Sequence, residues 1–146
     1  MTAIVIDTNV LIFDTFEDSE LHEAAIRGLD SAEKWCIPGM AFHEFLWFFK
    51  GRDLKLTDAK AKVQEYLMNE KSVFAPCTPD DIEFAVRRMK AYHDYNDLVI
   101  LSIAERMKLP LFSYDENLKK KAVRYGVSLF EKQLGVEAPK QQTEDD

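Results

Sequence analysis

Five short apolar runs, at residues 3–6, 34–37, 72–75, 109–112 and 127–130, are separated by stretches long enough for one or two helices each, which leaves this chain few folds. Strands buried on both faces read as near-continuous apolar segments, and parallel neighbours need a crossover of a dozen or more residues. The alternation predicts a three-layer α/β/α sandwich around a mostly parallel central sheet of about five short strands. Helical spacing supplies the layers. Ser19 is placed to cap a helix to about residue 29. Thr78 and Pro79 open another, with Ile82, Ala85, Val86 and Met89 inward. In the helix after Asn96, Asp97 falls in line with Leu101 and Ala104, while Ser102, Glu105 and Arg106 take the opposite, solvated side.

A chain of 146 residues fits one domain, set at residues 1–134, with 135–146 read as a flexible acidic tail. No run approaches the roughly 18 apolar residues of a membrane span. The opening strand lacks the basic lead of a signal peptide, so a cytoplasmic protein with no membrane partner is expected. Cys36 and Cys77 match neither a metal spacing nor a disulfide framework, and His22, His43 and His93 are scattered. The net charge of −7 argues against indiscriminate nucleic-acid binding. Part of it lies in residues 137–146, which hold four acids against one lysine.

Four carboxylates stand apart in sequence and alike in setting. Asp7 follows the first strand directly, and Asp115 follows the fourth after Ser113 and Tyr114. In open α/β sheets, ligands bind outside the carboxyl ends of the strands. Asp97 begins a helix on its inward face. Glu44 stands on a helix among Met40, Ala41, Trp47 and Phe48, where a carboxylate needs a partner, a proton or a metal. Each acid alone also reads as a helix cap or a solvated side chain. Gathered at one sheet edge, four like charges repel, at least one carboxyl should titrate high, and a hard cation is the simplest compensation. Mg²⁺ or Mn²⁺, as one or two ions, fits this oxygen-only set, and such ions typically serve phosphate chemistry.

The segment 40–50 is apolar over most of its circumference. Phe42, Phe45, Leu46 and Phe49 cover one side, Met40, Ala41, Trp47 and Phe48 the other. Two readings stand: the rings point outward as a protein interface, or the helix is sunk between its neighbours.

Ile6-Asp7-Thr8-Asn9-Val10-Leu11 resembles the opening motif of PIN-domain ribonucleases. Ala41-Phe42-His43-Glu44-Phe45, Asn96-Asp97-Leu98-Val99-Ile100-Leu101-Ser102 and Phe112-Ser113-Tyr114-Asp115-Glu116 resemble the family's later motifs, in the family's order, over about residues 3–130. The resemblance implies that Asp7, Glu44, Asp97 and Asp115 are catalytic metal-binding acids and that Asn9 and Ser113 support the pocket. It implies hydrolysis of RNA phosphodiester bonds, by endonucleolytic rather than exonucleolytic cleavage. Size and single-domain layout are similar to the toxin of VapBC toxin–antitoxin pairs, which implies a homodimer and an antitoxin protein docked in an apolar groove. Lys119, Lys120, Lys121 and Arg124 are candidate contacts to the RNA backbone, with Lys50, Arg52 and Lys55 as a second cluster; solvated helix faces explain both equally well.

A stand-alone RNA-processing nuclease and a PIN-like binding module without turnover compete with the toxin. A haloacid-dehalogenase-type phosphatase also begins with a strand and an Asp, but needs a second Asp where this chain has Asn9.

Overall fold

The first strand, β1 (Ala3–Ile6), lies inside the sheet with neighbours on both sides, and Ile4, Val5 and Ile6 are fully buried. β-Branched side chains, already stiff at χ1, lose little on entering a pleated, two-sided core. The computed structural model describes residues 2–131, so the expected domain end at 134 and the tail at 135–146 lie outside the described residues. After β1 come α1 (Thr8–Thr15), α2 (His22–Ser31), β2 (Lys34–Pro38), α3 (Gly39–Gly51), α4 (Leu56–Met68), β3 (Ser72–Ala75), α5 (Pro79–Arg88), a 3-10 turn (Tyr92–Asp94), α6 (Tyr95–Met107), β4 (Leu111–Phe112) and α7 (Glu116–Arg124).

The sheet is all parallel in the order β3-β2-β1-β4. Val5 pairs with Cys36 on one side and Leu111 on the other, and Ile6 pairs with Phe112. Strand alternation divides the core into two. Ile4, Ile6, Trp35, Ile37 and Phe112 face α1 to α4, whereas Val5, Cys36 and Leu111 face α5 to α7. The three-layer sandwich is therefore as expected. No helix among the described residues is long and apolar enough to cross a membrane.

The sheet has four strands rather than about five. Residues 127–130 contribute a single bridge, Leu129 to Leu111, with Leu111 N donating to Ser128 O and Phe130 N to Leu111 O. The cause is the shortness of β4. Leu109 N is tied to Ala104 O at the end of α6, where Lys108 turns left-handed at φ 58°, so Leu109 belongs to a helix cap rather than a strand. Beyond Phe112 the chain turns into the cap of α7, which leaves a last strand nothing to follow.

Three other expectations shift. Ser19 caps no helix; its hydroxyl accepts from Leu21 N, and α2 starts at His22. Within α2 the Phe112 ring packs against Gly28 so closely that a Cβ there would stand 2.4 Å from Cζ. On α5 the inward line is Asp81 and Ala85, while Ile82 and Val86 are exposed. Asp81 is fully buried and accepts from Ser102 Oγ at 2.8 Å and from Arg106 Nη2 at 2.9 Å. Those donors pull the helix round by one position. Consequently Ser102 is buried, as is every position of α6 from 98 to 104, while Arg106 stays exposed and its guanidinium reaches in to Asp81.

On α3 the choice between the two readings falls to burial. Phe45 and Phe49 are core residues, in edge contact with each other at 5.0 Å between centroids, and Phe45 meets Tyr66 of α4 at 6.1 Å. Phe42 is half-buried against Phe74. The apolar surface of α3 is instead Leu46 and Trp47, the latter 63% exposed.

Candidate active site

Because β1 and β4 are parallel neighbours, their carboxyl ends open at the same edge, and the residues that follow them meet there. Asp7 is the N-cap of α1, with Oδ1 accepting from Thr8 N at 2.8 Å. Its Oδ2 accepts from Ser113 Oγ at 2.7 Å, and that hydroxyl in turn accepts from Asp115 N at 3.0 Å. Asp115 caps α7, with Oδ1 accepting from Asn117 N and Leu118 N. Both candidate acids are thus helix caps, and carboxylates at helix N-termini suit the helix dipole.

Glu44 enters from α3. Its Oε1 accepts from Thr8 Oγ1 at 2.5 Å and its Oε2 from Asn96 Nδ2 at 2.7 Å. A half-buried carboxylate on an apolar helix therefore finds both of its partners across the site. Asp97 stands one residue past Asn96 in the first turn of α6, and its Oδ2 lies 3.2 Å from Lys121 Nζ. Asn9 Oδ1 accepts from Tyr114 N at 3.2 Å, so this side chain fastens the loop between β4 and α7.

Burial and like charge act together on the acids. Burial pushes the Asp7 carboxyl up to about 7, with the Ser113 and Thr8 donors opposing and the Glu44 and Asp97 charges adding. Asp97 is also raised, first by burial and then by Asp115 and Glu44, while Lys121 works against the rise. The high titration expected of at least one acid is present, with desolvation rather than repulsion as its main cause. The charges of Glu44 and Asp97 reach Asp7, and those of Asp115 and Glu44 reach Asp97. They do not, as they stand, converge on a single ion shell: among the described residues no three His, Cys, Asp or Glu side chains stand in metal-holding geometry. Each acid is held by a neutral donor or an ammonium instead. The donor set nevertheless fits a hard cation, since it consists of carboxylate oxygens alone.

Of the basic residues on α7, Lys120 and Arg124 are exposed. Lys119 pairs with Glu116 at 3.3 Å and Glu131 at 3.8 Å. Lys121 turns inward onto Asp94 and Asp97. Sequence reasoning missed Thr8 and Asn96 as the partners of Glu44, although both flank motif acids, and it missed Asp94 entirely.

Residues 4–124 match the family model described as PIN domain. No curated protein matches the sequence. Among solved structures, Mycobacterium tuberculosis VapC20, a sarcin-ricin loop cleaving toxin, superposes with a TM-score of 0.69 at 16% identity, over 81% of this chain and 94% of that one. VapBC2 from Rickettsia felis, bound to a DNA fragment from its promoter, superposes with a TM-score of 0.61 at 12% identity, over 88% of this chain and 97% of that one. At these identities the likeness is one of fold.

Proposed function

Since the chain belongs to the PIN domain family, we propose that it is a divalent-metal-dependent endoribonuclease and the toxin of a toxin–antitoxin pair. The observation that carries this reading is the linkage of Asp7 to Asp115 through Ser113 at two adjacent strand ends, with Glu44 and Asp97 in the same field. Asp7, Glu44, Asp97 and Asp115 are the residues that would hold Mg²⁺ or Mn²⁺. When bound, such an ion activates water for attack on phosphorus and neutralises the charge that develops on the phosphoryl oxygens. The chain's own residues do the positioning. Ser113 fixes Asp7 Oδ2, Thr8 and Asn96 aim the two Glu44 oxygens, and Asn9 holds the Tyr114 backbone beside them. Burial raises the Asp7 carboxyl in the metal-free chain, and a cation held there would draw it back to the charged form.

The partners in this reading are RNA, a second copy of the chain, and an antitoxin. A cavity of about 540 Å³ between α3 and α4, lined by His43, Leu46, Trp47, Lys50, Leu54 and Leu56 among others, is apolar enough to take an amphipathic antitoxin segment. A cytoplasmic location goes with these partners.

Incubation of generic RNA with the purified protein tests the proposal. Cleavage should require Mg²⁺ or Mn²⁺, stop with a chelator, and vanish in Asp7→Asn and Asp97→Asn. Mg²⁺ should raise the wild-type Tm by mass action and raise that of Asp97→Asn less. Cleavage that survives both chelator and Asp7→Asn overturns the nuclease reading of this site. For the toxin role, induced wild type should arrest growth of a bacterial host and Asp7→Asn should not.

A further inference from the structure

Lys121 is, among the described residues, the one ammonium within ion-pair distance of any of the four acids. It lies on α7, six residues past Asp115, with its side chain 20% exposed. Its Nζ is 3.2 Å from Asp97 Oδ2 and 3.3 Å from Asp94 Oδ1, and those side chains are 24% and 16% exposed.

The two carboxylates are not equivalent. Asp94 Oδ2 accepts from Lys90 N at 3.0 Å and Ala91 N at 3.2 Å, which locks Asp94 into the turn before α6. His93 Nε2 also stands 3.5 Å from Asp94 Oδ1. Asp94 could turn toward the other acids only by giving up two backbone N–H bonds. Asp97 Oδ2 has Lys121 as its hydrogen-bond partner and, among the described residues, no backbone tie, so it is the exchangeable side of the bridge.

We infer that Lys121 is a positioning residue for the third acid: anchored on Asp94, its ammonium serves Asp97 as an internal counter-ion that a divalent cation must displace. The inference rests on the metal-dependent nuclease reading. Displacement leaves the ammonium tethered to Asp94 at the rim of the site, where it meets an RNA phosphate. The same lysine thus weakens metal binding in the free protein and assists substrate binding in the loaded one. Physically, an ammonium and a hard cation compete for one carboxylate oxygen, and a charge-assisted contact of this kind is strong enough to set the outcome.

The test is calorimetric titration of the full chain with Mn²⁺ in the absence of RNA. Lys121→Met and Lys121→Gln should each bind Mn²⁺ roughly tenfold more tightly than wild type, the factor for losing one such competitor. Lys121→Arg, which keeps the charge, should stay within about twofold. Lys120→Met makes the same change of charge on the exposed side of α7 and should leave Mn²⁺ affinity unchanged. In cleavage assays at saturating metal, Lys121→Met should raise KM for RNA while its metal affinity rises, two opposite movements that loss of structure does not produce. If Lys121→Met folds poorly, the Gln variant decides. Unchanged or weaker Mn²⁺ binding in the folded Lys121 variants overturns the inference, as does equal tightening in Lys120→Met, which would mean a general field. Wild type that binds no Mn²⁺ overturns the underlying nuclease reading with it; wild type that binds while Lys121→Met matches it overturns this inference alone.

Discussion

Ser113 donates a hydrogen bond to Asp7 across 2.7 Å, and this one contact joins strand ends that lie 106 positions apart in the chain. The same hydroxyl oxygen accepts from Asp115 N, so a single side chain sets the spacing between the first and last acids of the site. Ser113 and Asp7 are both buried, which removes competing water from the bond between them.

Ser113→Ala should therefore cost stability in a pH-dependent way. Leaving a buried carboxylate short of one donor costs about 1–3 kcal/mol when the group is charged. Asp7 titrates near 7 in the folded protein, so the charged form dominates at pH 8.5 and the neutral form at pH 5.5. Thermal melts at the two pH values should show the larger loss at pH 8.5. Loss of equal size at both would mean that Ser113 matters for packing alone.

For Asp7 itself the sign follows from proton binding. Its carboxyl has an ordinary value of 3.8 and a folded value of about 7, so between these values the folded state holds more protons than the unfolded one. The contribution of Asp7 to stability then falls as pH rises from about 4 to 7 and levels off above. The gap corresponds to roughly 4 kcal/mol. Asp7→Asn should lack this slope: the variant minus wild-type stability difference should grow between pH 4.5 and 7 and be flat from 7.5 to 8.5. A difference independent of pH would refute the assignment.

Gly28→Ala should destabilise the protein, against the usual gain of about 1 kcal/mol for such a change inside a helix. The new methyl would stand 2.4 and 2.6 Å from two atoms of the Phe112 ring, and overpacking of this kind costs about 1–3 kcal/mol. Chemical denaturation should show a net loss, and Phe112→Leu in the same chain should return part of it. A stabilised Gly28→Ala would show that the ring moves freely.

Phe49 and Trp47, two positions apart on α3, should respond oppositely. Phe49→Ser removes a buried ring and should cost about 3–5 kcal/mol. Trp47 is largely exposed with Lys50 stacked on it at 4.4 Å, so Trp47→Ser should change stability by less than about 1 kcal/mol and leave cleavage intact. If the groove between α3 and α4 receives the antitoxin, co-purification of the pair should fail for Trp47→Ser.

Four strands, and the positions of Asp7 and Asp115 just past strand ends and of Asp97 in the first turn of a helix, were legible in the sequence because their signals are local. An apolar run followed at once by Asp7 needs no knowledge of the remaining chain, and Asp97 falls on the line of Leu101 and Ala104 whatever packs there. What escaped depends on contacts between distant segments. Three consecutive lysines on α7 look alike until α6 is placed beside them, and only then does Lys121 turn inward to Asp94 and Asp97. Likewise Ile82 and Val86 form a better apolar stripe than Asp81 and Ala85, yet a buried carboxylate with Ser102 and Arg106 as partners decided which side of α5 is inside. The missing fifth strand follows the same rule, for its length depends on how early β4 gives way to the cap of α7.

The position of β1 between β2 and β4 has a consequence for synthesis. The first strand to leave the ribosome gains β2 within some 30 residues but waits for residues 111 and 112 before its other side is covered. Ser113 and Asp115 arrive with those residues, so the site closes in the same step that completes the sheet. A chain interrupted between residues 98 and 111 carries Asp7, Glu44 and Asp97 but lacks Ser113, which holds Asp7 Oδ2, and the fourth acid, Asp115. Any hydrolytic power in this protein is thereby withheld from the nascent polypeptide until nearly the whole fold exists.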